Sequence, residues 1–218
     1  ITPYLFDVSD MYLSFWKKFV KEGHWATYSA DPHWTGTMDV VTSFFSLEHV
    51  ASPRSMLSNI WGLLKRNGIF YCIVPDILQN IADFVVIDHV NHFTHSSISY
   101  LLRESGFEVL EINTSDHASA MIVIARKCEE VGRLHEVQLS DTERCTITSE
   151  VAKMENYWSN LSLRIQNFER GLKESDRFAI YGSGFYGTYI ASCLIDQDRF
   201  KYFLDRDPYR QKKRLLGK

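Results

Sequence analysis

Residues 38–75 read MDVVTSFFSLEHVASPRSMLSNIWGLLKRNGIFYCIVP, and this stretch decides the fold. Its first part, residues 38–45, is an apolar run with one charge, Asp39, and predicts a buried strand. Pro53 opens a helix, where its fixed φ and missing N–H cost nothing, and Gly68 ends that helix. The apolar residues 69–74 predict a second strand. Strand, helix and strand within about 40 residues predict a βαβ unit with parallel strands.

The carboxyl ends of these two strands are the first place to look for a binding site, because open α/β sheets bind ligands there. The ends here are residues 43–49, SFFSLEH, and residues 75–76, PD. Glu48 and His49 lie in the first of these loops. They could act as an acid and a base, or the LEHV segment could simply shape the loop.

Composition sets the outer limits of the function. A chain of 218 residues with 45% hydrophobic residues predicts one or two domains with real cores. With a net charge of −3 the chain has no overall positive potential that would attract nucleic acid, so no nucleic-acid partner is expected. No apolar run reaches about 18 residues, so no membrane span is expected. Four widely spaced cysteines predict reduced thiols in the cytoplasm.

Acidic residues follow two short strands near the start of the chain. Residues 2–6 predict a strand that ends at Asp7, followed by a helix that Ser9 caps and that runs to about Val20. In nucleotide-binding α/β folds an acid at this place accepts ribose hydroxyls, although Asp7 could instead flank the helix. Residues 25–30 predict another strand, and Asp31 after it could belong to an ordinary Asp-Pro turn.

A polar cluster, DHVNHFTH, occupies residues 88–95 in the loop after the second strand of the βαβ unit. Its titratable members are Asp88, His89, His92 and His95. Histidine takes and gives a proton near neutral pH, whereas histidine with aspartate could also ligate zinc. No cysteine accompanies the cluster, so the sequence favours proton transfer and predicts no metal.

The C-terminal half carries a second nucleotide-type pattern. After a hairpin at residues 107–112 and 120–125 and a polar linker at residues 128–141, spacings of 3 to 4 from Ile147 to Leu172 predict one long amphipathic helix. A strand then runs into GSGFYG, residues 182–187, and the next strand ends at Asp205, 18 residues past Gly187. This pattern alone favours a nicotinamide-dependent oxidoreductase.

Three segments, DVVTSFFSLEHV, LLKRNGIFYCIVP and DHVNHFTHSSISYLLRESGFEVLEI, resemble in order and spacing the second half of class I S-adenosylmethionine (SAM) methyltransferases. The resemblance implies an α/β fold: a partial SAM-methyltransferase Rossmann-like sheet that ends in an antiparallel hairpin, then a long helix and a second Rossmann-like βαβ domain. It implies SAM as cofactor, with Asp7 on the ribose, Asp31 near the adenine and Trp34 stacking. Ser43 and Phe44 would line the same site.

Within this class the chain resembles the sugar C-methyltransferases, which act on nucleotide-linked deoxysugars. Their motif is Tyr-x-Glu-His followed by an aromatic residue and Ser or Thr, and its histidine is the base. Here His89 matches that base and Asp88 stands in for the glutamate, and either Asp88 or His49 would orient the acceptor. Val86 falls where the tyrosine should be and cannot hydrogen-bond an enolate oxygen, so methylation of oxygen, nitrogen or phosphorus also stays open.

The same subfamily carries a C-terminal domain with the motifs I-Y-G-x-G-x-x-G and F-x-D-x-x-P, matched here at residues 180–187 and 203–208. The resemblance implies that this domain binds the nucleotide-linked substrate without a redox cofactor, through Gly182, Gly184, Tyr186, Gly187 and Asp205. It divides the chain into residues 1–127, the methyltransferase part, residues 128–175, a linker with the long helix, and residues 176–218, the substrate domain.

A glycine-rich loop that would seat the methionine part of SAM does not precede Asp7. We therefore expect the first part of the SAM domain to precede Ile1 in a longer polypeptide. The main hypothesis is a cytoplasmic SAM-dependent methyltransferase of a small, nucleotide-linked or phosphorylated sugar. We expect the long helix first to bridge two domains, although it could also cover the sheet or pair with another helix in a homo-oligomer. The alternatives are a nicotinamide-dependent oxidoreductase and a non-catalytic scaffold.

Overall fold

The computed structural model describes residues 1–129 and 139–217, which form two compact units, Ile1–Leu139 and Ser140–Lys218. The first contains β1 (Leu5–Asp7), α1 (Leu13–Trp16), β2 (Trp25–Thr27), β3 (Met38–Phe44), α2 (Pro53–Leu63), β4 (Leu64–Pro75), α3 (His95–Glu104), β5 (Phe107–Asn113) and β6 (Ala120–Lys127). The second contains α4 (Asp141–Arg170), β7 (Phe178–Tyr181), α5 (Phe185–Cys193) and β8 (Phe200–Leu204).

The main sheet of the first unit has the strand order β3-β4-β6-β5. Strands β3 and β4 run parallel, with Ser43 opposite Cys72, and α2 connects them. Strands β4 and β6 are antiparallel, as are β6 and β5. The predicted βαβ unit and the closing antiparallel hairpin are therefore both present.

One face of this sheet carries the core. Alternate residues Phe70, Cys72 and Val74 of β4 are fully buried. Helices α2 and α3 contribute buried apolar residues to the same cluster, Leu57, Ile60, Ile98 and Leu102. Burying each large aliphatic or aromatic side chain contributes about 1.5–3 kcal/mol, so this face accounts for the stability of the sheet.

The other face of the sheet is only partly covered, which corrects the prediction of a buried strand at residues 38–45. Val40 and Phe44 of β3 remain 54% and 53% exposed. An apolar run fits either a strand buried on two faces or an edge strand with one covered face, and the run itself does not distinguish them. The helix α2 also ends at Leu63, five residues before Gly68. The strand β4 begins at once and passes through Asn67, whose φ is +60°.

The start of the chain forms a parallel two-stranded pair, β1 with β2, in which Asp7 lies opposite Thr27. The helix predicted for residues 9–20 is reduced to the single turn α1. Ser9 does not cap it, because its N–H and hydroxyl both bond the carboxylate of Asp7. Similarly, α3 begins at His95 with Thr94 as its cap, in a capping box with Ser97.

The second unit is built on α4, a helix of 30 residues that begins at a capping box of Ser140 and Glu143. Strands β7 and β8 are parallel and α5 connects them, which confirms the second βαβ element. Ile165 of α4 packs against the core of this element, so the long helix belongs to the same unit. Residues 130–138 of the predicted linker lie outside the described residues.

None of the helices in the described ranges is both long enough and apolar enough to cross a membrane. The 30 residues of α4 would suffice in length, but charged residues recur along it.

Gly187 of α5 tests the tight turn of the second unit. A Cβ atom at this position would lie 1.9 Å from the carbonyl oxygen of Gly182. We expect Gly187→Ala to lower the free energy of unfolding by about 2 kcal/mol or more, because backbone must move to relieve the overlap. The measurement is urea denaturation followed by circular dichroism.

Gly62 of α2 provides the matched control, because a Cβ there meets no atom within 4 Å. Gly62→Ala should be neutral or raise the free energy of unfolding by up to about 1 kcal/mol, as expected for Gly to Ala in a helix. Equal stability of Gly187→Ala and the parent would contradict the close approach of the two glycines.

Candidate active site

The candidate site of the first unit forms where two loops meet, residues 45–52 after β3 and residues 76–94 after β4. The backbone N–H groups of Val90 and Asn91 donate to the carbonyl of Glu48, at 2.9 and 3.0 Å. The side chain of Asn91 donates to the carbonyls of Leu47 and Val50, at 3.2 and 2.7 Å. These four hydrogen bonds fix one loop on the other.

A buried carboxylate organises the second loop. Asp83 is fully buried, and its two oxygens bond Nδ1 of His89, at 2.9 Å, and Nδ1 of His92. A carboxylate only accepts hydrogen bonds, so both rings carry their proton on Nδ1. The lone pair of His89 is therefore on Nε2, on the far side of the ring from Asp83.

His49 of the first loop lies against this group. Its ring is 4.9 Å from the ring of His89 in an edge-on arrangement. Its Nδ1 bonds the backbone carbonyl of Asp88 at 2.9 Å, and the Asp88 carboxylate is 3.4 Å away. The structure thus brings together the three residues that the sequence singled out for catalysis, His49, Asp88 and His89, while their chemical roles stay predictions.

Glu48 is the least satisfied polar residue of the cluster. It is 0% exposed, and neither carboxylate oxygen has a hydrogen-bond partner among the described residues. One of its oxygens lies 3.8 Å from Nε2 of His49. Burial raises the pKa of Glu48 above its usual value, although the backbone of Glu48 itself and then the adjacent histidines, His49 and His89, oppose this shift.

Asp83 was not predicted as a site residue from the sequence, although the sequence contains one indication of its role. The residue is a single charge within the apolar segment ADFVV, and a buried acid in a loop normally has a specific partner. His95, in contrast, is an exposed residue at the start of α3. The sequence cluster therefore divides into His89 and His92, which bond Asp83, and His95, which does not.

Three of the residues predicted to hold SAM, Asp7, Asp31 and Trp34, already have hydrogen-bond partners within the chain. Asp7 ends β1, is half-buried, and uses Oδ1 to bond the N–H and hydroxyl of Ser9. Asp31 accepts the N–H of His33 and so caps a short 3-10 turn. Trp34 is 4% exposed, and its indole N–H donates to the carbonyl of Gly23. Because Trp34 is buried, its ring face is not open for stacking.

Ser43 and Phe44 lie at the carboxyl end of β3, Ser43 buried and Phe44 exposed. Phe45 follows with φ +48° and is also exposed. A carboxylate at one strand end and exposed aromatic rings at another suit a ribose and the flat apolar part of a nucleoside. These residue types suit the adenosine portion of SAM, and the assignment of Asp7 to the ribose hydroxyls stays a prediction.

The glycine turn of the second unit is closed by its own acid. Gly182 has φ +99°, a conformation that favours glycine. Both carboxylate oxygens of Asp205 are used within the unit, one by the N–H and hydroxyl of Ser183 and the other by the N–H of Asp207. These hydrogen bonds, that of the Ser183 hydroxyl first, lower the pKa of Asp205 to about 2.

A cavity of about 740 Å³ adjoins this turn. Of the residues predicted to bind substrate, Gly184 and Asp205 line it, whereas Gly182 and Gly187 shape the turn and Tyr186 stacks on Trp158 at 6.0 Å. Four basic residues near the end of the chain also line the cavity: Arg210, Lys212, Lys213 and Arg214.

Comparison with known proteins agrees with this architecture. A family model described as a methyltransferase domain matches residues 2–112, half of the chain. The chain therefore belongs to the methyltransferase-domain family, in the class I SAM-dependent group. SAM, predicted from the sequence, is confirmed as the cofactor of this class.

The C-methyltransferase NovU of Streptomyces niveus is 23% identical over 184 residues, which cover 78% of this chain and 43% of that protein. The chain thus spans less than half the length of this curated relative. One similar solved structure is a SAM-dependent methyltransferase from Mesorhizobium loti, with 15% sequence identity and a TM-score of 0.46; the match covers 58% of this chain and 81% of that chain. Another is an O-methyltransferase family protein from Burkholderia thailandensis, with 14% sequence identity and a TM-score of 0.45; the match covers 59% of this chain and 44% of that chain.

Asp205 predicts a specific acid sensitivity of the second unit. Because its folded-state pKa is lowered to about 2, its contribution to stability is present above about pH 4 and is lost as the pH falls toward 2. We expect Asp205→Asn to be less stable than the parent at pH 7, with a difference that shrinks through this window. The measurement is urea denaturation at a series of pH values.

Asp198→Asn is the control, since Asp198 is an exposed acid of the same unit. A difference between Asp205→Asn and the parent that stays constant from pH 7 to pH 2 would show that charge on Asp205 does not support the turn.

Proposed function

We propose that this chain acts in SAM-dependent methylation of a small acceptor, a nucleotide-linked or phosphorylated sugar, with His89 as the base. The observation that carries the proposal is the buried Asp83–His89 pair. A histidine whose Nδ1–H is held by a buried carboxylate has a fixed tautomer and a fixed ring direction. That is the arrangement that general base catalysis requires.

When bound, SAM supplies an electrophilic methyl group on a sulfonium. The acceptor atom must lose its proton for the displacement to proceed, and Nε2 of His89 takes that proton. Asp83 then stabilises the imidazolium, because its carboxylate already bonds Nδ1. The remaining task of the site is alignment and exclusion of water, which the fixed contact between the two loops supports.

Carbon is the acceptor atom that this arrangement favours. The S. niveus relative is named as a C-methyltransferase, and a C–H proton requires a positioned base, whereas a phosphate or a carboxylate oxygen carries no proton to remove at neutral pH. Val86 offers no hydrogen bond to an enolate oxygen. His49 is the polar side chain that lies next to His89, and we assign it the orientation of the acceptor.

The second unit would bind the phosphate-bearing part of the acceptor. Its cavity combines the glycine turn with four basic side chains, and backbone N–H groups with cations are the usual partners of phosphate. No redox cofactor is needed for this role. Cys72, Cys145 and Cys193 are thiols outside any disulfide, which fits the reducing cytoplasm.

Cofactor binding can be measured without knowing the acceptor. We expect the longest natural polypeptide that contains this chain to bind S-adenosylhomocysteine in calorimetric titration, and not NAD. Asp7→Ala should weaken that binding by about tenfold, because a hydrogen bond to a charged group contributes about 1.5–3 kcal/mol. Asp10→Ala, at an exposed acid three residues away, is the control. Binding of NAD alone would overturn the proposal.

The base assignment predicts that His89→Ala loses methyl transfer by about 10²–10⁴-fold, the usual contribution of a general base. The assay measures transfer of labelled methyl groups from SAM to a panel of nucleotide-linked keto-deoxysugars. Affinity for S-adenosylhomocysteine should not change, since His89 would act on the acceptor.

Asp83→Asn is the companion variant for this experiment. It should lower kcat with little change in KM, because an amide can leave His89 in the wrong tautomer while the acceptor still binds. His95→Ala, at an exposed histidine on α3, is the control. Normal turnover of a folded His89→Ala protein would remove His89 from the reaction.

A further inference from the structure

We propose that Glu48, His49 and His89 form a binding site for a divalent transition-metal ion, with zinc as the best matched ion. Each residue offers one ligand atom, and the three atoms all lie within 4.8 Å of one another. Two imidazole nitrogens and one carboxylate oxygen are accepted zinc ligands, at about 2.0–2.2 Å from the ion. The sequence alone predicts no metal, because no cysteine accompanies the histidine cluster. The convergence of the two loops is visible only in the structure.

The carboxylate is the first argument for an ion. Both oxygens of Glu48 are buried without a hydrogen-bond partner in the described part of the chain. Buried charges in proteins are normally paired or coordinate metals, because desolvation is otherwise uncompensated. One of these oxygens, Oε1, lies 3.8 Å from Nε2 of His49, and the carboxylate is therefore one of the three groups that converge in the candidate site.

The orientation of the two imidazoles is an independent argument. Nδ1 of His89 bonds the Asp83 carboxylate, and Nδ1 of His49 bonds the backbone carbonyl of Asp88, both at 2.9 Å. Histidines that ligate metals almost always donate their other N–H to a carboxylate or a backbone carbonyl. Both Nε2 lone pairs are therefore left for an ion, and Asp83 would be its outer support.

The site also has an entry path and an open position. The His49 side chain is about one-third exposed, whereas those of Glu48 and His89 are largely buried. Three protein ligands leave the fourth position of a tetrahedral ion for water or another small ligand. Because Glu48 and His49 belong to one loop and His89 to the other, a bound ion would cross-link the loops.

Metal binding and the proposed base role use the same atom, Nε2 of His89. An ion on that nitrogen occupies the lone pair that would take the proton, so the metal-bound form is an inhibited form of the proposed enzyme. The inference itself does not rest on the proposed function. Zinc binding is measured without SAM or acceptor, so its failure would leave the methyl-transfer proposal standing, and the reverse also holds.

The test is calorimetric titration of the metal-free chain with Zn²⁺, produced without a polyhistidine tag, together with the visible absorption of the Co²⁺-loaded chain. We expect Zn²⁺ to bind to the parent, and more than about tenfold more weakly to Glu48→Gln and His89→Ala. His95→Ala should bind as the parent does. The parent spectrum should show tetrahedral Co²⁺, and Glu48→Gln should lose it.

Circular dichroism of each variant establishes that it is folded, and a variant that unfolds is replaced by Glu48→Ala or His49→Ala. Absence of Zn²⁺ binding to the parent would overturn the proposal, as would equal affinity in a folded Glu48→Gln. The second result would mean that Glu48 is simply a buried neutral acid. An equal loss in His95→Ala would assign the ion to surface histidines and would also overturn it.

Discussion

The strand β4 is the constraint on which the first unit depends, because it is hydrogen-bonded along both edges. It pairs in parallel with β3 and antiparallel with β6, and its alternate residues form the centre of the core. Parallel pairing with β3 forces the carboxyl ends of the two strands to the same edge of the sheet. The loops that follow these strands must therefore meet, and their meeting creates the candidate active site.

Two buried carboxylates at that edge of the sheet, Asp83 and Glu48, differ in whether hydrogen bonds compensate their burial. Asp83 is fully buried but bonds two histidines, so its desolvation is offset by hydrogen bonds. Glu48 is equally buried, and its side chain has no such bond among the described residues. The backbone of Glu48 is nevertheless fixed, since its carbonyl accepts two N–H groups from the opposite loop. The unsatisfied side chain is thus held in place by the fold, which is typical of a group kept for ligand binding rather than for stability.

The spacing of apolar residues was sufficient to predict helices and strands that have one buried and one exposed side. The crossover helix, the closing hairpin and the long helix α4 all follow from spacing and capping residues, and all are present. The exposure of Val40 and Phe44 could not be predicted in this way, because it depends on what lies across the sheet. The bond between Asp83 and His89 was also out of reach, since the path of an irregular loop decides which side chains meet. The residue types nevertheless led to His49, Asp88 and His89, which the structure brings together, while their roles stay predictions.

The acid that ends a nucleotide-type βαβ element can serve the ligand or the turn. In the second unit Asp205 has the spacing of a ribose-binding carboxylate, yet its oxygens bond Ser183 and Asp207 of the chain itself. Recognition in the adjoining cavity then falls to other groups, and those that line it include four basic side chains. Positive charge around a glycine turn favours an anionic group such as phosphate, which a dinucleotide and a nucleotide-linked substrate both carry. The use of Asp205 by the turn itself is what weighs against the ribose-binding role that the spacing alone predicts, while the ligand of this cavity stays a proposal.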